Sequence, residues 1–172
     1  MPLLRRALVS VAVLALPALA AADEAPRPFY VASTLASRRC DFEDCLGFGW
    51  TTRVGSADLV SRCDFGSCVE HGWTTRGPKG KSSVTRCDFG KCLEHGFTTT
   101  HPDGKDSVTR CDFGKCWEHG WTTRHPDGSD SVTRCDFGDC ATKGWTTRLP
   151  GGGEVHCRCR FDDCKKNGAD CG

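Results

Sequence analysis

The chain has 172 residues, with 23 Lys and Arg against 22 Asp and Glu and a formal charge of +1 at pH 7. With no basic excess, nucleic acid is not an expected partner. Fourteen cysteines, nearly all the sulfur in the chain, point instead to a disulfide scaffold from an oxidising compartment.

Residues 1–20 carry Arg5 and Arg6, then an apolar run from Ala7 that ends Ala18-Leu19-Ala20. A charged start, a short apolar core and a small-x-small ending make a secretory signal peptide, cleaved near Ala20. The 14-residue run falls short of the ~20 that span a bilayer. No second apolar segment follows, so the mature chain is expected to lack a transmembrane segment and to be secreted or periplasmic. Loss of Arg5 and Arg6 leaves 21 basic residues against 22 acidic ones, a formal charge of −1. Residues 21–37, AADEAPRPFYVASTLAS, lack periodicity and read as a linker or N-terminal cap.

Residues 38–172 are a six-unit repeat. Cys111 to Arg134 matches Cys87 to Arg110 at 20 of 24 positions, related copies start at Cys63 and Cys135, and degenerate ones start at Cys40 and Cys159. Such a period marks an array in which each unit buries its apolar face against its neighbours. Within a unit, Ser107 to Phe113 alternates as a strand, and Trp121 to Arg124 is a second, shorter one. Between second strand and next unit lies His101-Pro102-Asp103-Gly104-Lys105, a hairpin turn in which proline presets φ and glycine takes the left-handed position. With His101 facing Lys105, Thr99 faces Ser107 and Phe97 faces Thr109. One face then holds Phe97, Thr99, Ser107, Thr109, Cys111 and Phe113, and the other Thr98, Thr100, Val108, Arg110 and Asp112. The connection from Gly114 to Gly120 is expected to form one helical turn capped by Gly120, bringing Cys116 and Trp117, or Val69 and Leu93, over the core face. The predicted fold is all-β: tandem 24-residue hairpins in an elongated antiparallel meander, with a two-sheet β-solenoid as the alternative.

The string HGWTTRHPDGSDSVTRCDFGDC, with its His-Gly start and Pro-Asp-Gly turn, resembles a MORN repeat. The likeness covers roughly residues 40–158. It departs from that family where Val-x-Arg-Cys-Asp-Phe replaces the Tyr-x-Gly-x-Trp core. It implies a hairpin sheet acting through protein or lipid contact rather than catalysis.

Six cysteine pairs share a Cys-x4-Cys spacing: Cys40/Cys45, Cys63/Cys68, Cys87/Cys92, Cys111/Cys116, Cys135/Cys140 and Cys159/Cys164. Each would pin a connection onto the sheet, for about 2 kcal/mol in the chain-entropy model. Cys157 and Cys171 fall at the repeat positions of Thr109 and Thr99 and are predicted to bridge, closing an exposed last strand. The competing reading is metal sequestration by Cys-x4-Cys-x2-His, as in Cys63/Cys68/His71, Cys87/Cys92/His95 and Cys111/Cys116/His119. It needs a fourth ligand, and Phe48, Lys143 and Asn167 take the histidine position elsewhere. Asp-Phe-Gly at Asp64, Asp88, Asp112 and Asp136, and His-Pro-Asp at His101 and His125, are turn chemistry without the contexts that would make them catalytic. No cofactor is expected, and His71, His95 and His119 sit favourably at a helix C-terminus.

On the outward face, Arg62, Arg86, Arg110 and Arg134 form one stripe beside Asp64, Asp88, Asp112 and Asp136. Arg76, Arg124 and Arg148 form another, with Arg124 across from Asp130. These stripes are either a mutually neutralised surface or a binding face for a protein or an anionic envelope glycan or lipid. The sequence therefore reads as an exported, non-catalytic scaffold for binding or structure at the cell envelope.

Overall fold

The computed structural model of the chain describes residues 38–54 and 56–172. The expected signal peptide and the 21–37 segment lie outside the described residues. Twelve strands follow one another: β1 Arg38–Cys40, β2 Gly49–Val54, β3 Ala57–Cys63, β4 Trp73–Arg76, β5 Ser82–Cys87, β6 Phe97–Thr100, β7 Asp106–Cys111, β8 Trp121–Arg124, β9 Asp130–Cys135, β10 Trp145–Arg148, β11 Glu154–Cys159 and β12 Ala169–Cys171. Each pairs antiparallel with its chain neighbours, and β12 returns to pair with β1 through Arg38 and Ala169. The hairpins are those expected, but the array is a closed barrel, not an elongated meander or a solenoid.

Twist explains the closure. Every strand pair rotates in the same sense, and six near-identical hairpins accumulate that rotation until first and last strands meet. Closure leaves no sheet edge to template aggregation, which removes the exposed last strand that the sequence suggested. Among the described residues no helix is long and apolar enough to cross a membrane. The strands, three to seven residues long, are shorter than the ~9–11 of a spanning strand.

The hairpin register is the predicted one. His101 N–H donates to the Lys105 carbonyl at 2.8 Å, and Gly104 takes φ 80°. Phe97 faces Thr109 and Thr99 faces Ser107. Period-two alternation then sends Phe97, Thr99, Ser107 and Thr109 into the lumen and Arg110 outward. A twelve-strand barrel is wider than the eight-strand kind that side chains can fill. Small Thr and Ser side chains therefore leave a cavity of about 210 Å³ on the axis.

The lumen is tiered. Trp50, Trp73, Phe97, Trp121 and Trp145 form an aromatic tier, with ring centroids of 5.2 Å for Trp50–Trp73 and 5.1 Å for Trp73–Phe97. Below it hydroxyls pair within each unit: Ser61–Thr75, Thr85–Thr99, Thr109–Thr123 and Thr133–Thr147, all at 2.8–2.9 Å. In the last unit the same two positions hold Cys157 and Cys171, and a disulfide replaces the hydroxyl pair. In the first they hold Arg38 and Thr52. The small Ala169 beside Arg38 leaves room for its guanidinium, which lies 5.8 Å over the Trp50 ring and is pushed down to about 10 by loss of water.

All six disulfide-bearing connections lie at one end of the barrel, because each joins an odd strand to the next even one. They include the single-turn helices Cys68–His71, Cys116–His119 and Cys164–Asn167. The second cysteine of every unit donates its N–H to the carbonyl one residue past the equivalent cysteine of the preceding unit: Cys68 to Leu46, Cys92 to Val69, Cys116 to Leu93, Cys140 to Trp117, Cys164 to Ala141 and Cys45 to Lys165, at 2.8–3.0 Å. Six hydrogen bonds thus close a second ring above the sheet.

Candidate functional site

Counted from each first cysteine, five positions are identical in all six copies: the preceding arginine, the two cysteines, a glycine nine residues on, and a phenylalanine two residues on. The cysteines and the glycine have a structural reason in every copy, and the arginine in four of the six. The cysteines pair as predicted in every unit, and no cysteine among the described residues is free. The glycine opens the even strand where the backbones touch: a Cβ on Gly120 would lie 2.1 Å from the Thr133 carbonyl oxygen, and one on Gly144 2.0 Å from that of Cys157. Arg62, Arg86, Arg110 and Arg134 reach back to Asp41, Asp64, Asp88 and Asp112 of the preceding unit.

The phenylalanine has no such reason. Phe42, Phe65, Phe89, Phe113, Phe137 and Phe161 are 83–97% exposed, and all have φ of 50–51°. The alternation that placed Phe113 on the core face stops at Cys111. Asp112 opens a left-handed turn in which Phe113 (φ 50°, ψ 28°) and Gly114 (φ 71°) are the central residues, and Lys115 N–H closes back on the Asp112 carbonyl at 3.1 Å. This is a type I′ turn, whose first central position favours Asn, Asp or Gly. A bulky side chain there is an outlier costing about 1 kcal/mol. Over six copies that is roughly 6 kcal/mol, against a net stability of about 5–15 kcal/mol for a whole domain.

Neighbouring rings do not account for it. His71, His95 and His119 meet Phe65, Phe89 and Phe113 edge-on at 5.4–5.6 Å, and Phe48 does the same for Phe42. Lys143 and Asn167 take that position in the last two units, yet Phe137 and Phe161 persist. The histidines of the metal reading thus lie beside the phenylalanines, and the cysteines meant to accompany them are bound in disulfides.

The remaining arginines divide. Arg124 meets Asp130 at 3.0 Å as expected, and the bond holds its pKa above the ordinary arginine value. Arg148 meets Glu154 at 3.4 Å, whereas Arg76 faces Ser82 with no acid opposite. In the last unit Arg160 stands where other units have Asp and Asp170 where they have Thr, and the two bond each other.

The lumen is the other concave feature. At the hairpin end His101 and His125 are buried, their Nε2 atoms bonded to Ser107 and Ser131 at 2.7 and 3.0 Å, and burial pushes both pKa values down. Its hydroxyls and imidazoles pair with one another, as in a core. At the rim end Lys165 Nζ lies 5.7 Å from the Trp117 ring, whose buried N–H has no hydrogen-bond partner among the described residues. What fold and site define is a disulfide-stapled, closed repeat barrel that displays one aromatic side chain per unit around one rim. No family model, curated protein or solved structure matches the chain.

Proposed function

We propose that this protein is an exported, non-catalytic scaffold whose binding element is the ring of six phenylalanines. One observation carries the reading: an apolar side chain is held exposed in a disfavoured backbone conformation in all six copies, where the invariant cysteines and glycine have a structural reason throughout and the arginine has one in four copies. Exposed apolar patches on soluble folds mark contact sites, and stored backbone strain clusters at functional positions. Seven disulfides suit an oxidising compartment, in keeping with a signal peptide cleaved near Ala20. The resemblance to MORN repeats, also a proposal, is to modules that work by contact. The arginine stripes are a weaker candidate, because Arg62, Arg86, Arg110 and Arg134 are already neutralised by Asp.

Hydroxyl-radical footprinting of the protein in its exported setting, read by mass spectrometry at the six phenylalanines, tests this. Docking predicts protection relative to the same protein denatured and to a version with the ring replaced by Asn. Equal labelling of all six rings in place and in free solution would show the ring uncovered and the reading wrong.

A further inference from the structure

We infer that the surface covering the aromatic ring is the ring of a second copy of this chain. The inference rests on the docking reading above and names its partner. Six equivalent phenylalanines fit a partner that presents six equivalent positions. An asymmetric protein would engage one sector of the rim and leave the other units' phenylalanines without purpose. A second barrel carries the same pseudo-six-fold rim, and a two-fold axis turns one ring onto the other in an isologous contact, in which each side chain meets the counterpart of its own neighbour.

Area and charge both permit it. An aromatic side chain buries about 150–250 Å², so six cover roughly 900–1,500 Å² per copy, above the ~800 Å² per partner of a standard stable interface. The rim does not oppose self-docking. Residues 41–48, 64–71, 88–95, 112–119, 136–143 and 160–167, with the six arginines that precede them, hold thirteen acidic and twelve basic side chains. Several are already paired within the copy, as Lys91 with Glu94 at 2.9 Å and Lys115 with Glu118 at 2.8 Å. A near-neutral rim leaves the apolar term to decide. Offset by half a repeat, each phenylalanine of one copy seats between two of its partner. The lumen mouths, lined by Leu46, Val69, Leu93 and Trp117, then face each other inside the joint ring.

The experiment is sedimentation velocity on the oxidised, signal-processed full chain over two decades of concentration, beside single Phe→Asn variants and the variant with all six replaced. Asn suits the left-handed turn, so a lost assembly cannot be laid to misfolding; circular dichroism and thermal melting of each variant verify this. We expect a dimer for the natural chain and a folded monomer for the six-fold variant. Each single variant should weaken association about ten- to a hundredfold, since it removes one phenylalanine from each copy, with similar losses at Phe65, Phe89, Phe113 and Phe137. A natural chain that stays monomeric, or a dimer indifferent to the six-fold variant, overturns the inference. If that monomer instead binds phosphatidylcholine vesicles through the same side chains, the partner is a lipid surface; the second copy is then wrong and the docking reading stands. A monomer whose phenylalanines are also unprotected in the exported setting sinks both.

Discussion

The two ends of the barrel obey opposite rules. At the hairpin end four of the five turns read GPKGK, HPDGK, HPDGS and LPGGG, yet these four adopt one frame. Gly77, His101, His125 and Leu149 each donate N–H to the carbonyl four residues on, at 2.8–2.9 Å. The geometry is common and undemanding, and the sequence drifts. At the rim the order is reversed: the backbone disfavours phenylalanine, and phenylalanine is kept in every copy. In the outer units even the turn glycine is lost, with Glu43 at φ 57° and Asp162 at φ 53°, and still Phe42 and Phe161 remain. A backbone that tolerates many residues but displays one is evidence that the side chain is held for what it meets.

The sharpest way to break the comparison is to add a single methyl at each end. Gly120→Ala places a Cβ 2.1 Å from the Thr133 carbonyl, whereas at Gly104 nothing lies within 4 Å. Gly104 carries only a left-handed penalty, about 1 kcal/mol, whereas Gly120, at φ 92° and ψ −159°, lies in a region open essentially to glycine alone. Gly120→Ala adds a backbone clash and should cost about 3–5 kcal/mol, read from urea melts of the oxidised protein. Equal costs at the two sites would mean that the rim seat is looser than it looks.

Disulfides come next. Cys157–Cys171 spans 14 residues and Cys111–Cys116 spans five. Loop-closure entropy makes them worth about 3 and 2 kcal/mol. Replacing Cys157 and Cys171 by Thr restores the hydroxyl pair of the other units, so the measured loss should fall below the entropic figure by the value of a hydrogen bond, about 1 kcal/mol. A Cys→Ala pair at the same two sites should show the full loss.

How much of this was legible beforehand follows from the same contrast. Hairpin register, the helical turn at Cys116–His119 and six of the disulfides could be read from turn chemistry and spacing, and the Cys157–Cys171 bridge from its repeat positions, because each depends on residues close in sequence. Closure could not: it depends on twist summed over twelve strands, and no local pattern states when the sum reaches a full turn. The ring was missed because alternation was carried through Asp112 to Phe113, two residues past the strand end. Phe-Gly directly after Cys-Asp was the available signal, a turn pair with the wrong first residue. The Arg160 and Asp170 substitutions were also visible as a paired departure from the repeat, and their meaning needed the β11–β12 register.

A titration probes the hairpin end alone. Burial lowers the pKa of His101 and His125, with Asp103 and Asp106 partly opposing it at His101, and Asp127 and Asp130 at His125. The unfolded chain, with histidine near 6.5, therefore takes up protons first as the medium is acidified. The stability these groups leave intact above pH 6.5 is lost as pH falls through their lower folded values. Melting temperature should decline from pH 7 towards 5, before the carboxylates titrate. His101→Leu with His125→Leu, copying Leu149 at the equivalent turn position, should flatten that slope and leave rim behaviour unchanged.

The smallest effect is the most telling. Phe113→Asn puts the residue best suited to a type I′ turn where the worst suited now stands. It removes one edge-on contact with His119, worth a few tenths of a kcal/mol to about 1 kcal/mol when buried and less at this exposure. It relieves a left-handed penalty of about 1 kcal/mol. The sum is neutral to stabilising by up to about 1 kcal/mol, and Phe137→Asn, with no histidine beside it, should gain more. A stabilising substitution that the chain declines six times over is the pattern of a position kept for function at a cost in stability. If thermal melts instead show Phe137→Asn destabilised, the phenylalanines support the fold by some route outside their visible contacts, and the two ends of the barrel differ less than their sequences suggest.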